Sequence, residues 1–293
     1  MRRLAPITLA LCLLVSLPDS AATVTKKKTT TKKPTTTTAT TKKKPTTTTT
    51  KKKPTTTTAT TVSCAKTLKD CPPEGCGGDF DPNLNKQKNI LPDDPRTNGE
   101  AEPHDVDWMK NLPDPKNFVK GGTRDELAGL GEGKKVRIFG YVLTIRAEGG
   151  ETCNCKLTDV DDQVAVNTDN HLVVVNAATV KKFPLPNGAN LDQWKAVLAK
   201  REPQSITSEF TPRVRLAHPN FTRAKVSPLI LGVRQLALPV RLTGMLMFDS
   251  EHFIEHHLNR VNNWEVHPIL KFEYCPSGQT CTADSDDGWK SLD

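Results

Sequence analysis

Apolar residues recur at regular spacing only from about residue 134 onward, and the pattern there is mostly that of strands. Val136 to Ile145 is dense in β-branched and aromatic side chains and ends at Glu148-Gly149-Gly150, which predicts a long strand. Gly140 inside it predicts a bend or a close backbone approach. Further strands are expected over 153–158, 171–176 and 205–216, the last broken by Pro212. Pro239 to Phe248 alternates, with Val240, Leu242, Leu246 and Phe248 on one face and Gly244 at its centre, and Trp264 to Tyr274 predicts the final strand. Leu191, Trp194, Val197 and Leu198 stand at helical spacing with Pro203 just beyond, which predicts a helix over 191–201. A short helix is expected over 250–261. Several strands, two with central glycines, plus one or two inserted helices predict a mainly β protein built as a small OB-like barrel. A β-sandwich is the alternative.

The first 62 residues lack such a pattern. Met1-Arg2-Arg3, the apolar run from Leu4 to Leu17 and the small residues Ser20-Ala21-Ala22 predict a signal peptide over 1–22. The run is too short to span a membrane, which takes about 20 apolar residues, and Leu11 before Cys12 argues against a lipoprotein. From 23 to 62, lysine groups alternate with threonine runs and recurrent Lys-Pro-Thr, a composition that cannot offset chain entropy by burial and predicts a disordered stalk. Residues 63–133, rich in Pro, Gly, Asn and Asp, predict an irregular cysteine-containing arm, 134–275 the OB-like domain, and 276–293 a C-terminal tail.

Charge follows this division. The net charge of +8 arises in the stalk and signal, since from Ser63 onward 28 Lys and Arg face 32 Asp and Glu. Bulk charge of the folded part therefore does not support nucleic-acid binding, whereas the stalk is a candidate contact for anionic envelope polymers. Seven cysteines follow the signal, and in an exported chain Cys64, Cys71, Cys76, Cys153, Cys155, Cys275 and Cys281 are disulfide candidates with one thiol left over. Cys153-Asn154-Cys155 is too tight to close on itself, so one of the pair is expected to bond elsewhere, with Cys275 a partner to consider. No CxxC pair occurs, which argues against a zinc knuckle. Location outside the cytoplasm, periplasmic, secreted or at the cell surface, is the expectation.

Candidate chemistry gathers on histidines. His252 and His256 are four apart on an expected helix, Asp249 and Glu251 lie just before it, Asp169 precedes His171, and Glu265 and His267 project from the strand face opposite Trp264 and Val266. Imidazole titrates near neutrality and binds divalent ions. His252, His267 and Asp249 are thus candidate ligands of a divalent metal, and His267 with Glu265 a candidate acid/base pair. The bland alternative makes them surface and capping residues. Arg213 and Arg215 are expected to alternate on a strand face.

The runs Asn154–Leu157 and Asp169-Asn-His-Leu-Val-Val174, Glu209 with Thr211-Pro212-Arg213, Arg241-Leu-Thr-Gly244, Asp249 with His252, and Arg260 with Trp264-Glu-Val-His-Pro268 resemble a family of uncharacterised exported bacterial proteins. The resemblance spans roughly residues 134–275, and the Trp-Glu-x-His-Pro strand is its most specific part. It implies a compact β domain and no particular reaction. With it, His171, Glu209, Arg213 and Arg260 are candidate ligand contacts. The expected function is a binding module of unknown ligand held off the envelope by the stalk. The alternatives are a metal-assisted hydrolase of phosphodiesterase or nuclease type and a structural envelope protein, and fold analogy ranks binding first.

Overall fold

Strands form where the alternation is strongest, and they close on themselves. The computed structural model describes residues 63–78, 80–159, 166–253 and 259–293. The expected signal peptide and stalk, the turn at Asp161-Asp162, and His256 and His257 lie outside the described residues. In chain order the elements are α1 (Pro82–Lys88), β1 (Glu102–Asp105), α2 (Val106–Lys110), α3 (Asp125–Leu130), β2 (Lys135–Ala147), β3 (Asn170–Val175), α4 (Ala177–Lys182) and α5 (Leu191–Arg201). They continue with β4 (Ile206–Phe210), α6 (Pro212–Arg215), α7 (Arg223–Leu231), β5 (Leu238–Phe248), β6 (Trp264–Tyr274) and β7 (Lys290–Ser291).

The barrel runs β2-β3-β4-β6-β5 and returns to β2, with β4 and β6 parallel and the other barrel pairs antiparallel. This is the five-stranded Greek-key order of an OB-like barrel, and the sandwich alternative falls because β2 pairs with both β3 and β5. β2 manages this by length. Its first half pairs with β5 and its second half with β3, and the two overlap beside Gly140. A Cβ at Gly140 would meet Val106 and Val174 at 2.8 Å, and one at Gly244 would meet the Pro268 carbonyl at 2.3 Å, so both central glycines mark close approaches. Val136, Ile138, Leu172, Val174, Ile206, Leu242, Trp264 and Val266 fill the interior. Phe210 stacks on Phe221 and meets Phe272 edge-on there.

Several expectations are corrected. The strand expected at 153–158 is a short turn, Thr152–Asn154, followed by left-handed Cys155 and Lys156. Lys156 N–H returns to the Glu151 carbonyl, and Cys155 is bonded to Cys71, so the segment folds back and leaves no extended edge to pair. The strand expected to reach 216 stops at Phe210, because Pro212 opens α6 at the position where its missing N–H is harmless. Arg213 and Arg215 therefore sit on a helix. The inserted helices number four between β3 and β5, not one or two. The helix expected over 250–261 is absent at its start, where Asp249 accepts from the Glu251 N–H in a turn, and its middle lies outside the described residues.

The arm is not irregular. Asp81 and Asp105 cap α1 and α2, β1 adds in parallel to β2, and Val106, Met109 and Leu127 are buried in the barrel's own core cluster. Arm and barrel lie within one compact unit. Disulfides join Cys64 to Cys76, Cys71 to Cys155 and Cys275 to Cys281, leaving Cys153 as the buried thiol. Cys275 thus pairs along its own tail, six residues on, rather than with the Cys153–Cys155 turn, where Cys155 is taken by Cys71 and Cys153 stays a thiol. Among the described residues no helix is long and apolar enough to cross a membrane.

Candidate functional site

A strand that sends alternate side chains inward must send the others out, and β3, β4 and β6 send out acids and imidazoles. Trp264 and Val266 face the core, which turns Glu265 and His267 the other way; Ile206 and Phe210 do the same for Thr207 and Glu209. Register then brings them together, since His171 lies opposite Glu209 and Thr207 opposite Glu265. On an open barrel this face would be wet. Here the arm covers it, leaving His267 and Asp169 fully buried and Glu265, Glu209 and Lys88 at 2%, 5% and 5% exposure.

The cover is tied down by polar contacts. Asn89 donates to the carbonyls of Pro73 and Cys153 (2.9 Å each), Arg213 donates to the Cys71 and Pro72 carbonyls, and the Cys71–Cys155 bond joins arm to turn. Lys88, at the end of α1, reaches in to Glu151 at 2.6 Å. Arg260 donates to both Asp249 and Glu265, and His252 Nδ1 stands 2.7 Å from Asp249 Oδ2.

Between these paired groups lies an unpaired set. His267 Nδ1 is 3.2 Å from Glu209 Oε2 and 3.5 Å from Glu265 Oε2, and His267 Nε2 is 3.7 Å from Asp169 Oδ2, none aligned as a hydrogen bond. Asn154 donates to the other oxygen of Asp169 at 3.2 Å. His171 Nδ1 stands 3.2 Å from Glu148 and 3.8 Å from Glu209, with Nε2 beside the Thr207 hydroxyl. Among the described residues, both His267 nitrogens, Asp169 Oδ2 and Glu209 Oε2 are buried without a hydrogen-bond partner. Such groups are few in folded proteins.

The electrostatics follow the pairing. Burial, reinforced by Glu151, pushes Asp169 up to about 6, and burial with Glu265 and Glu151 pushes Glu209 well above the carboxylate range. Burial would also raise Glu265 and Asp249. Arg260 overrides it at Glu265, and the His252 hydrogen bond with Arg260 overrides it at Asp249, so both are held low. Glu151 is held low by Lys88 against burial. Burial, with Glu151 and Asp169, pushes the Cys153 thiol well up, and it donates to Glu151 at 3.2 Å, which leaves it a neutral thiol rather than a nucleophile.

Of the residues expected from sequence, His171, Glu209, Glu265 and His267 share this face, and Asp249, His252 and Arg260 adjoin it. The metal trio His252, His267 and Asp249 does not share one ligand shell: Arg260 stands between Asp249 and Glu265, so His252 reaches His267 only through three intervening side chains. Among the described residues, the triads close enough to grip an ion are Asp169, Glu209 and His267, and Glu151, Cys153 and Asp169. Arg213 holds arm carbonyls. Asp169 was marked only as the neighbour of His171, while Lys88 and Glu151 carried no signal, because a lysine in a polar segment gives no hint that it will be buried. Of the motifs quoted above, Asn154, Asp169, His171, Glu209, Asp249, His252, Arg260, Glu265 and His267 lie on or beside this face, whereas Leu172, Val174, Trp264 and Val266 face the core. Arg241 lies apart from this face, being paired with Glu273 and Asp286 under Trp289. No protein-family model, curated protein or solved structure matches the chain.

Proposed function

We propose that the chain is an extracytoplasmic binding module, related to the exported bacterial proteins its motifs resemble, with its ligand taken on the arm rather than by chemistry at the histidines. One contrast supports this reading. The acid and imidazole cluster is sealed, with His267 at 0% exposure, whereas a cleft of about 670 Å³ opens on the arm between α1, the loop around Asp93, Asp94 and Arg96, and Thr123-Arg124. That is the volume of a ligand site. Its lining of Lys86, Arg96, Asp93, Asp94 and side-chain amides suits a polar ligand carrying both donors and acceptors. A hydrolase would need substrate at His267 or Glu265, and both lie beneath Lys88 and the Thr152–Asn154 turn. The three disulfides suit an oxidising compartment.

The test is retention of the mature chain on purified envelope polymers, with stalk-deleted and Lys86→Ala/Arg96→Ala forms alongside. Binding that survives loss of the stalk and fails in the double variant is the expected result. Retention that follows the stalk alone would reduce the folded part to cargo and overturn the proposal.

A further inference from the structure

The sealed cluster holds more carboxyl groups than its side-chain cations answer. Lys88 is committed to Glu151, and Arg260 to Asp249 and Glu265. Among the described residues, Asp169 and Glu209 have no lysine or arginine within ion-pair distance, and the basic groups within 4 Å of them are imidazoles. Their inward oxygens and both nitrogens of His267 are the partnerless buried atoms noted above. Asn154 holds the other oxygen of Asp169, which fixes Oδ2 toward the ring. One donor atom from each of Asp169, Glu209 and His267 can be chosen so that all lie within 4.8 Å of one another. Donors about 2.0–2.2 Å from one tetrahedral ion stand about 3.3–3.6 Å apart, so the three side chains would draw in by up to about 1.5 Å to close on it.

We propose that Asp169, Glu209 and His267 bind one divalent transition-metal ion, zinc before manganese, as a buried structural centre joining the start of β3 to β4 and β6 beneath the arm. Two carboxylates and an imidazole make a mixed oxygen and nitrogen set, which suits zinc or manganese, whereas calcium and magnesium take oxygen alone. Two negative charges match the ion's two positive ones. Three protein donors leave a fourth position to water, and burial keeps that position from substrate, which makes the centre structural rather than catalytic. The neighbouring triad of Glu151, Cys153 and Asp169 already contains its cation in Lys88, so the ion belongs to the His267 side. The assignment is independent of the cleft and its ligand.

The full mature chain, purified without chelator, is assayed for metal by elemental mass spectrometry, then stripped and titrated calorimetrically with ZnCl₂, MnCl₂, MgCl₂ and CaCl₂. One zinc per chain and a zinc-dependent rise in thermal midpoint are expected. His267→Gln, Glu209→Gln and the near-isosteric Asp169→Asn should each weaken zinc by at least about 100-fold, since even partners behind the ligands account for about 10–100-fold. His252→Gln and His256→Gln/His257→Gln should leave affinity within about threefold. The Co²⁺ form gives a readout that does not depend on variants folding: a spectrum without a thiolate charge-transfer band places Cys153 outside the shell. A folded chain that takes up no ion overturns the proposal. So does preference for magnesium or calcium, a thiolate band, or loss of binding in the His252 or His256/His257 variants.

Discussion

Arg260 offers the sharpest test of how this polar face is held. Its side chain is 7% exposed and lies on Asp249 and Glu265, which are 4% and 3% exposed, so removing it strands two carboxylates out of water. Breaking a buried pair from one side costs about 3–5 kcal/mol, most of it the penalty of the charge left behind. His252 still faces Asp249, and His267 stands 3.5 Å from Glu265, which places Arg260→Met near the lower end, about 3 kcal/mol. For a folded unit of this size that is a drop of about 6–12 °C in thermal midpoint. In urea, at a slope of about 2–3 kcal/mol per molar, it is a shift of about 1–1.5 M. The assay is equilibrium urea unfolding of the disulfide-intact mature chain, followed by tryptophan fluorescence and circular dichroism. Adding Glu265→Gln to Arg260→Met should recover at least about 1 kcal/mol, because one stranded charge disappears. Lys86→Ala, which breaks a pair 49% and 44% exposed, is the control and should cost less than about 1 kcal/mol. If Arg260→Met loses less than about 1 kcal/mol at unchanged slope, the carboxylates do not depend on the guanidinium and the account of this face is wrong.

Cys71→Ser/Cys155→Ser opens a bridge across 84 residues and Cys275→Ser/Cys281→Ser one across 6, so chain entropy gives losses of about 4.6 and about 2.3 kcal/mol; equal losses in urea unfolding would refute the arm's role as a long-range tie. Gly244→Ala should cost about 1–3 kcal/mol by forcing β5 off the Pro268 carbonyl, whereas Gly129→Ala, with open space around it, should stabilise α3 by about 0.5 kcal/mol; the sign difference in thermal midpoint is the check. The hydrogen bond to Asp249, working against burial, raises His252 above its ordinary value, so the stability it contributes is complete below about pH 6.5 and is lost as pH rises through the folded value. The difference in midpoint between wild type and His252→Gln should therefore shrink from pH 6 to pH 8, and a constant difference would dismiss the pair.

The barrel was legible where one physical rule acted alone. β2, β5 and β6 each have a face on the core, so their composition is set by burial, and the central glycines of β2 and β5 record contacts that no Cβ would survive. α5 was expected from the spacing of Leu191, Trp194, Val197 and Leu198, yet Arg201 is its only buried residue, and what starts it is a capping box of Asn190 and Gln193. The failures came where distant partners decide. Nothing local at Cys153–Thr158 announces that Cys71 will pull Cys155 into a left-handed turn. The short helices of the arm carry capping aspartates but too few apolar positions to show a period, and they are ordered by packing against a barrel that comes later in the chain. His252 and His267 were grouped by residue type, yet Arg260, whose guanidinium forks between two acids, keeps them apart and leaves Asp169 to take the place expected for Asp249.

That substitution of partners explains why arm and barrel cannot be separate devices. On an uncovered barrel, water would solvate Glu209, Glu265 and His267 on the outer face. Once covered, each of those groups must find a partner or carry a large desolvation penalty. The cover here brings Lys88 and Asn89 from α1, Arg213 from beyond β4 and a disulfide from Cys71, and it contributes Val106, Met109 and Leu127 to the same core the strands enclose. The arm therefore satisfies charges the barrel presents, and the barrel supplies the apolar surface the arm lacks. A polar face buried by its own chain, with two acids and a ring still unanswered, is the arrangement expected of a site completed by something small and positive rather than one waiting for a substrate.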